Sequence, residues 1–297
     1  MISTAIPTYG RTEGVEEAIS SILRDPAVGE LIVVDQNTDG LLDEIFQRID
    51  DPRLRRLQPD QRGAGRARNA ALRAASGDVL CLIDDDCVAP IGWAEAISAA
   101  MADSVGCVFT NVVEPPGTTD GFTPTRRFAE AAHYAEWRRS PSPAELGIGA
   151  SYAVRVEAAL AIGGWDETMG PGGRFPSADD IDIAYRMLLA GWDVCCSPAV
   201  DVVHHGTRDG AELRALNKRD YHAAGAMYAK LARVRPRPAL AGGARFVGRA
   251  LLDSVGDTIR TRRPAGIGRW FWTAVGFGAG LRLPVDKDTM TFRGADA

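Results

Sequence analysis

Asp84-Asp85-Asp86 follows directly on the apolar run Val79-Leu80-Cys81-Leu82-Ile83, which reads as a buried strand. Three adjacent carboxylates repel one another and are costly at a strand end unless a cation or strong donors lie among them. An extended backbone sends the side chains of Asp84 and Asp86 to the same face, where both can reach one hard divalent cation or the phosphates it carries. An acidic turn capping the helix predicted from Trp93 to Met101 is the alternative. A second acidic pair, Asp179-Asp180, follows the turn-rich Gly172-Gly173-Arg174-Phe175-Pro176. Ser177 is the predicted N-cap of a helix over 178–190, with Ile181, Ala184, Tyr185 and Leu188 on its apolar face. The helix dipole favours ionised carboxylates in a first turn, so structure alone accounts for the pair.

The elements that must position these groups alternate as strands and helices, the pattern of a mostly parallel sheet covered by helices. Ile2–Ile6 is a predicted strand, leading through Pro7-Thr8-Tyr9-Gly10 to a helix with Val15, Ala18, Ile19, Ile22 and Leu23 at helical spacing. Leu31–Val34 is a second strand ending at Asp35, and Leu54–Leu57 a third. Gly63-Ala64-Gly65 then opens a helix from Arg66 to Ala75 ahead of the acidic triplet. Strand ends of a parallel sheet converge on one crevice, so Pro7-Thr8-Tyr9, Asp35 and the triplet would line it together. Asp35 can accept from a base or a ribose, and Arg66 or Arg68 can address base or phosphates; a turn cap and a solvated helix face are the plain alternatives.

At 297 residues and 45% hydrophobic, the chain can bury a full α/β core. The first strand begins directly after Met1, so a targeting segment is not expected and the protein is placed in the cytosol. Five cysteines without metal-finger spacing read as buried reduced thiols. The net charge of −5 divides unevenly: residues 1–207 hold 17 arginines and no lysine against 31 acids, residues 208–297 hold 17 basic residues against 8 acids. The acidic body argues against nucleic acid; the basic tail calls for an anionic surface, either the body itself or a membrane.

Taken in order, Ala5-Ile6-Pro7-Thr8-Tyr9-Gly10-Arg11, Ile32-Val33-Val34-Asp35, Gly65-Arg66-Ala67-Arg68-Asn69-Ala70-Ala71, Cys81-Leu82-Ile83-Asp84-Asp85-Asp86, Gly163-Gly164-Trp165-Asp166-Glu167 and Ala178-Asp179-Asp180-Ile181-Asp182 resemble a family-2 glycosyltransferase of GT-A fold. The resemblance spans roughly residues 2–206. It implies a Rossmann-like mixed, mostly parallel sheet with flanking helices. The activity it implies is transfer of a sugar, with inversion, from a nucleotide diphosphate donor to an acceptor hydroxyl, with Mn²⁺ or Mg²⁺ at the D-x-D. By that resemblance Asp35 contacts the base, Pro7, Thr8, Tyr9 and Arg11 border the nucleotide with Asp85, and Arg68 holds the nucleoside or its phosphates. Asp84 faces ribose and metal, Asp86 ligates the metal, and His204, rather than His205, completes the site. Asp180 takes the general-base position, with Asp179 where glutamate is commoner, which leaves open which aspartate is the base. Trp165, Asp166 and Glu167 approach donor sugar and acceptor, unless Trp165 is simply core. Gln36, where relatives often carry an acid, bears on donor choice.

The expected organisation is a catalytic domain over 1–207, divided into a nucleotide-sugar half (1–113) and an acceptor half (114–207), plus a basic, mainly helical region over 208–297. Residues 114–146 carry a predicted helical stretch with His133, Tyr134 and Trp137 that could shape an acceptor pocket. Beyond residue 207, Phe246, Val247, Ala250, Leu251 and Val255 suggest an amphipathic helix. The Trp270–Phe277 run is too short and glycine-rich to span a membrane. It fits a membrane-surface helix, a dimer contact or docking on the body. The expected partners are a UDP- or dTDP-sugar, a glycan, lipid-linked or cell-envelope acceptor, the inner face of a membrane and a second copy of the chain. A sugar nucleotidyltransferase would also use paired aspartates on a metal, but the chain has no glycine-rich triphosphate signature near its start. A non-catalytic nucleotide-sugar or glycan-binding module would bind donor without turnover.

Overall fold

Side chains alternate along the strands of the first half and feed two hydrophobic cores, one on each face of the sheet. Ala5, Ile32, Val34, Leu80 and Leu82 belong to one core; Ile6, Leu31, Val33, Cys81 and Ile83 belong to the other. The structure is a computed structural model and describes residues 1–118, 121–135, 141–262 and 266–294. In chain order the first half runs β1 (Ile2–Thr8), α1 (Val15–Leu23), β2 (Val28–Asp35), α2 (Asp43–Arg48), β3 (Leu54–Leu57), α3 (Ala64–Ala74), β4 (Val79–Ile83), β5 (Cys87–Val88), α4 (Trp93–Ala100) and β6 (Val105–Val113). The second half continues with β7 (Ala132–Tyr134), β8 (Ser151–Arg155), α5 (Val156–Ala161), α6 (Asp179–Leu189), β9 (Asp193–His204), α7 (Gly210–Val234), α8 (Pro236–Thr261) and α9 (Ile267–Arg282).

One mixed sheet has the order β3-β2-β1-β4-β8-β6-β9-β5, with β7 also on β9. Strands β1 to β4 pair in parallel, as do β6 and β9. Strand β8 lies antiparallel between β4 and β6 and joins the two parallel groups. The expected strands and helices of the first half are present at their expected places. Around residue 133 the expectation of a helix fails: His133 and Tyr134 lie in β7, paired antiparallel to Cys195 and Val194. Trp137 falls outside the described residues. All five cysteines are free, four of them buried and Cys195 half-buried.

The C-terminal helices share the core of the body. Ala223, Met227, Tyr228 and Leu231 of α7 pack in the same cluster as Trp165, Phe175 and Ile183. Helices α7 and α9 meet at backbone distance: a Cβ on Gly225 would overlap the Thr273 carbonyl, and one on Gly276 would overlap that of His222. Gly276, the glycine of the aromatic run, and Gly280 beyond it thus let α9 approach α7, which favours the docking alternative for α9. After α9 the chain returns to the body, where the Phe292 N–H donates to Asp166 Oδ2 at 2.8 Å. Among the described residues, no helix is long and apolar enough to cross a membrane.

Candidate active site

A cavity of about 990 Å³ opens at the C-terminal ends of β1 and β4. Its first wall is Pro7, Thr8, Tyr9, Arg11, Gln36, Arg62 and the triplet; its second is Ser177 to Ile181; its third comes from α7 and α8, including Asp220, Tyr221, Met227 and Phe246. The triplet leaves the sheet at the seam, where the Asp84 N–H donates to the Ala150 carbonyl at 3.2 Å. Asp85 accepts from Thr8 Oγ1 at 2.6 Å and from Arg11 at 3.0 Å, and Arg11 also reaches Asp86 at 2.6 Å. The triplet does not cap α4. Asp25 does, accepting from the N–H groups of Gly92 and Ala94 at 3.1 Å each.

Asp86 and His204 form the candidate metal pole. Their nearest side-chain atoms lie 3.4 Å apart, and Cys87 is the third potential ligand within reach. The His204 Nδ1 lies 2.9 Å from the Pro124 carbonyl, which places the ring proton there and turns Nε2 toward Asp86. Burial works against ionisation of Asp86, yet His204 and Arg11 outweigh it and hold its carboxyl below the usual range. Burial likewise opposes the charged form of His204, but Asp86 raises its pKa overall. Burial pushes the Cys87 thiol up, so the usable donors are one carboxylate and one imidazole, a set suited to Mn²⁺ or Mg²⁺. Space beside them is reserved: a Cβ on Gly206 would stand 2.5 Å from His204 Nε2 and 2.9 Å from Asp86 Oδ2. Asp84, expected in the metal set, is not among these three. It faces Arg68 at 3.7 Å, and burial raises its pKa to about 6.

The second acidic pair is divided between two tasks. Ser177, expected to cap α6, does not; its hydroxyl donates to Asp220 Oδ1 at 2.5 Å, and Ala178 takes the cap position with a left-handed φ of 62°. Asp179 is buried and ion-paired with Arg68. Arg68 is itself buried and joins the two acidic clusters, rather than offering a free guanidinium to a phosphate. Asp180 lines the cavity, accepts only from the Ile181 N–H at 2.8 Å, and has no cation within ion-pair distance among the described residues. Burial, reinforced by Asp179, pushes its pKa up to about 7, the range in which a carboxylate can both hold and release a proton near neutrality.

Other expected site residues stand elsewhere. Asp35 is fully buried and does not line the cavity. Its Oδ2 takes two donors from Arg56 at 2.9 and 2.6 Å, and its Oδ1 takes two from Asn37 at 3.0 and 2.7 Å. Asn37 in turn accepts the Gly10 N–H at 2.8 Å, so Asp35 anchors the Pro7–Gly10 turn. Trp165 is core, its Nε1 donating to the Tyr152 hydroxyl at 2.9 Å. Asp166 is buried against Lys230 at 2.5 Å. Glu167 receives Asn69 at 3.0 Å and lines a separate depression with Arg66. None of these three lines the main cavity.

Several lining residues carried no sequence signal. Arg62 stacks over the exposed Tyr9 ring at 4.5 Å and donates to its hydroxyl at 2.6 Å. Arg126 has a buried Nε without a partner. The α7 residues of the third wall lie beyond every recognised block, and only the charge reversal near residue 208 hinted at them.

A model of glycosyl transferase family 2 matches residues 3–162 of this chain. The chain belongs to this family. It is a glycosyltransferase, and its mixed, mostly parallel sheet is the GT-A arrangement. A search of curated proteins finds no match. Among solved structures the fold is similar to a mannosyltransferase of Pyrobaculum calidifontis in complex with GDP-Man and Mn²⁺, at 21% identity and a TM-score of 0.61, covering 94% of this chain and 84% of that one. It is also similar to residues 1–349 of TarS of S. aureus, at 16% identity and a TM-score of 0.64, covering 95% and 81%. The complex of that protein with UDP-GlcNAc gives 16% identity and a TM-score of 0.63, covering 86% and 74%.

Proposed function

We propose that this glycosyltransferase is metal-dependent and inverting, moving a sugar from a UDP- or dTDP-sugar to a hydroxyl of a glycan, lipid-linked or cell-envelope acceptor. The observation that carries the reading is the presence in one cavity of the Asp86–His204 pole and of Asp180, a carboxylate left without a cation. Bound at Asp86 and His204, Mn²⁺ or Mg²⁺ would neutralise charge on the departing nucleotide diphosphate. Tyr9, under Arg62, offers a flat face for the base, and Arg68 fixes Asp179 so that Asp180 alone serves as base toward the acceptor hydroxyl. Attack from the Asp180 side inverts the anomeric carbon without a covalent intermediate.

Thermal-shift screening of nucleoside diphosphates with and without Mn²⁺ tests the donor half, because a ligand that binds only the folded protein stabilises it by RT ln(1 + L/Kd), where L is the free ligand concentration. UDP or dTDP should give the largest Mn²⁺-dependent shift. Asp86→Ala should weaken Mn²⁺-dependent binding at least about tenfold; an unchanged Mn²⁺ increment in the folded variant would falsify the metal assignment.

The acceptor half of the reading draws on α8. Its inner face is buried, but Leu240, Leu252 and Ile259 are 61%, 69% and 73% exposed. Together with Val247, Leu251 and Val255 they form an apolar arc on the helix, bordered along one edge by Arg245, Arg249 and Arg260. Phe246 of the same helix lines the cavity. An apolar arc with a basic edge fits an anionic membrane surface carrying a lipid-linked acceptor, whereas an antiparallel two-fold pairing of α8 would bring the arginine edges toward one another. Leu252→Asp with Ile259→Asp should reduce sedimentation with phosphatidylglycerol vesicles by at least about tenfold while leaving UDP binding unchanged. Equal sedimentation of the native chain with purely phosphatidylcholine vesicles would argue against the electrostatic part.

A further inference from the structure

Two arginines of the third wall make no ion pair among the described residues. Arg208 lies on the strap between β9 and α7, where its backbone bridges Phe122, and Arg219 lies on α7. Both are half-buried and both line the cavity. Arg219 Nε is buried without a hydrogen-bond partner, and neither side chain makes an ion pair with a described residue. A fully buried guanidinium such as Arg186 is matched, donating to Asp182 and to the Ile162 and Gly164 carbonyls, whereas Arg126 of the same cavity has an orphaned Nε like that of Arg219. A guanidinium presents five donors, and desolvating them unmatched is costly. A pair of them open to a cavity is therefore suited to a ligand that supplies several acceptor oxygens.

Their place relative to the two poles decides which ligand. Both arginines favour the ionised form of Asp220, against a larger opposing effect of burial. Asp220 holds Ser177 at 2.5 Å and contributes to the field that raises Asp180. Arg219, next to Asp220, therefore stands on the side of the cavity that carries Ser177 and Asp180, and Arg208, four residues beyond His204, reaches the same wall from the strap. In an inverting displacement the base and the leaving diphosphate stand on opposite sides of the anomeric carbon, so an anion bound beside the base is carried by the acceptor. Tyr221, Met227 and Phe246 continue the same wall with apolar surface, which suits a phosphate joined to a less polar group.

We infer that Arg208 and Arg219 bind a phosphate group of the acceptor, close to the hydroxyl that Asp180 deprotonates. The inference rests on the glycosyltransferase reading of Asp180 given above and adds the acceptor's chemical class to it. The test measures glycerol 3-phosphate binding by calorimetry in the presence of Mg²⁺ and saturating UDP, so that the donor diphosphate position is filled. The native protein should bind glycerol 3-phosphate and not glycerol. Arg208→Gln and Arg219→Gln should each weaken that binding at least about tenfold, with UDP affinity changed less than about twofold, and Arg→Lys at either position should recover part of the loss by restoring charge. Loss of UDP affinity in parallel would assign the arginines to the donor diphosphate and overturn the inference. So would the absence of glycerol 3-phosphate binding to the native protein, or binding that survives both glutamine substitutions. If the native protein failed to bind UDP, the donor reading would fall separately, and the phosphate measurement would still report on Arg208 and Arg219.

Discussion

Asp180→Asn should bind nucleotide sugar as tightly as the native enzyme yet transfer the sugar roughly 10²- to 10⁴-fold more slowly, the usual contribution of a positioned general base. Asparagine keeps the volume and can still accept the Ile181 N–H that Asp180 Oδ1 holds at 2.8 Å, so folding and donor binding should survive. What it removes is proton affinity. Because burial raises the Asp180 pKa to about 7, the carboxyl is protonated and idle below that pH and ionised above it. The rate should therefore climb as pH rises through about 7 and then level off, and the slow residual rate of Asp180→Asn should lack that climb. Asp179→Asn is the informative comparison. It leaves Arg68 without its carboxylate, so it should disturb donor binding as well as turnover. If Asp179→Asn transfers no sugar while Asp180→Asn stays near normal, the base is Asp179, and if both remain active neither aspartate is the base.

The donor half of the fold and the position of both acidic clusters were legible because they depend on local signals. Apolar strands such as Val79–Ile83 announce themselves by composition, and a carboxylate run at a strand end has few inexpensive explanations. What each polar residue touches is decided by chain segments distant in sequence. Asp35 reads as a free acceptor until Arg56, 21 residues on, takes one of its oxygens. Trp165-Asp166-Glu167 reads as a sugar-facing motif until Tyr152 and Lys230 are found against it. Ser177 reads as a helix cap until Asp220, 43 residues on, claims its hydroxyl. The α7 wall was illegible for a further reason. Helix α7 is amphipathic in a way that serves both a core and a cavity, and periodicity does not distinguish the two.

Lys230→Met should be among the most destabilising single substitutions in the chain, by about 3–5 kcal/mol, with the transition lowered by roughly 5–10 °C. Lys230 is fully buried and lies 2.5 Å from Asp166 and 2.7 Å from Asp182. Asp182 continues to Arg186 at 2.8 Å, so one ammonium serves two carboxylates in a closed network. Methionine fills the space but leaves a buried charge uncompensated, and that penalty exceeds whatever the intact bridge contributes. Asp166→Asn added to Lys230→Met should recover part of the loss, because it removes one of the stranded charges; no recovery would mean that the cost comes from packing instead. The network also ties α7 to the block that precedes α6, and therefore the third wall of the cavity to the helix that bears Asp180. A single cooperative transition in both proteins would place α7 in the same folding unit as the sheet, as the shared core requires. A second transition, shifted alone by Lys230→Met, would make the C-terminal helices a separable unit. In the folded fraction of Lys230→Met the wall should be less well held than the sheet, so the KM for acceptor should rise while the affinity for donor stays close to native.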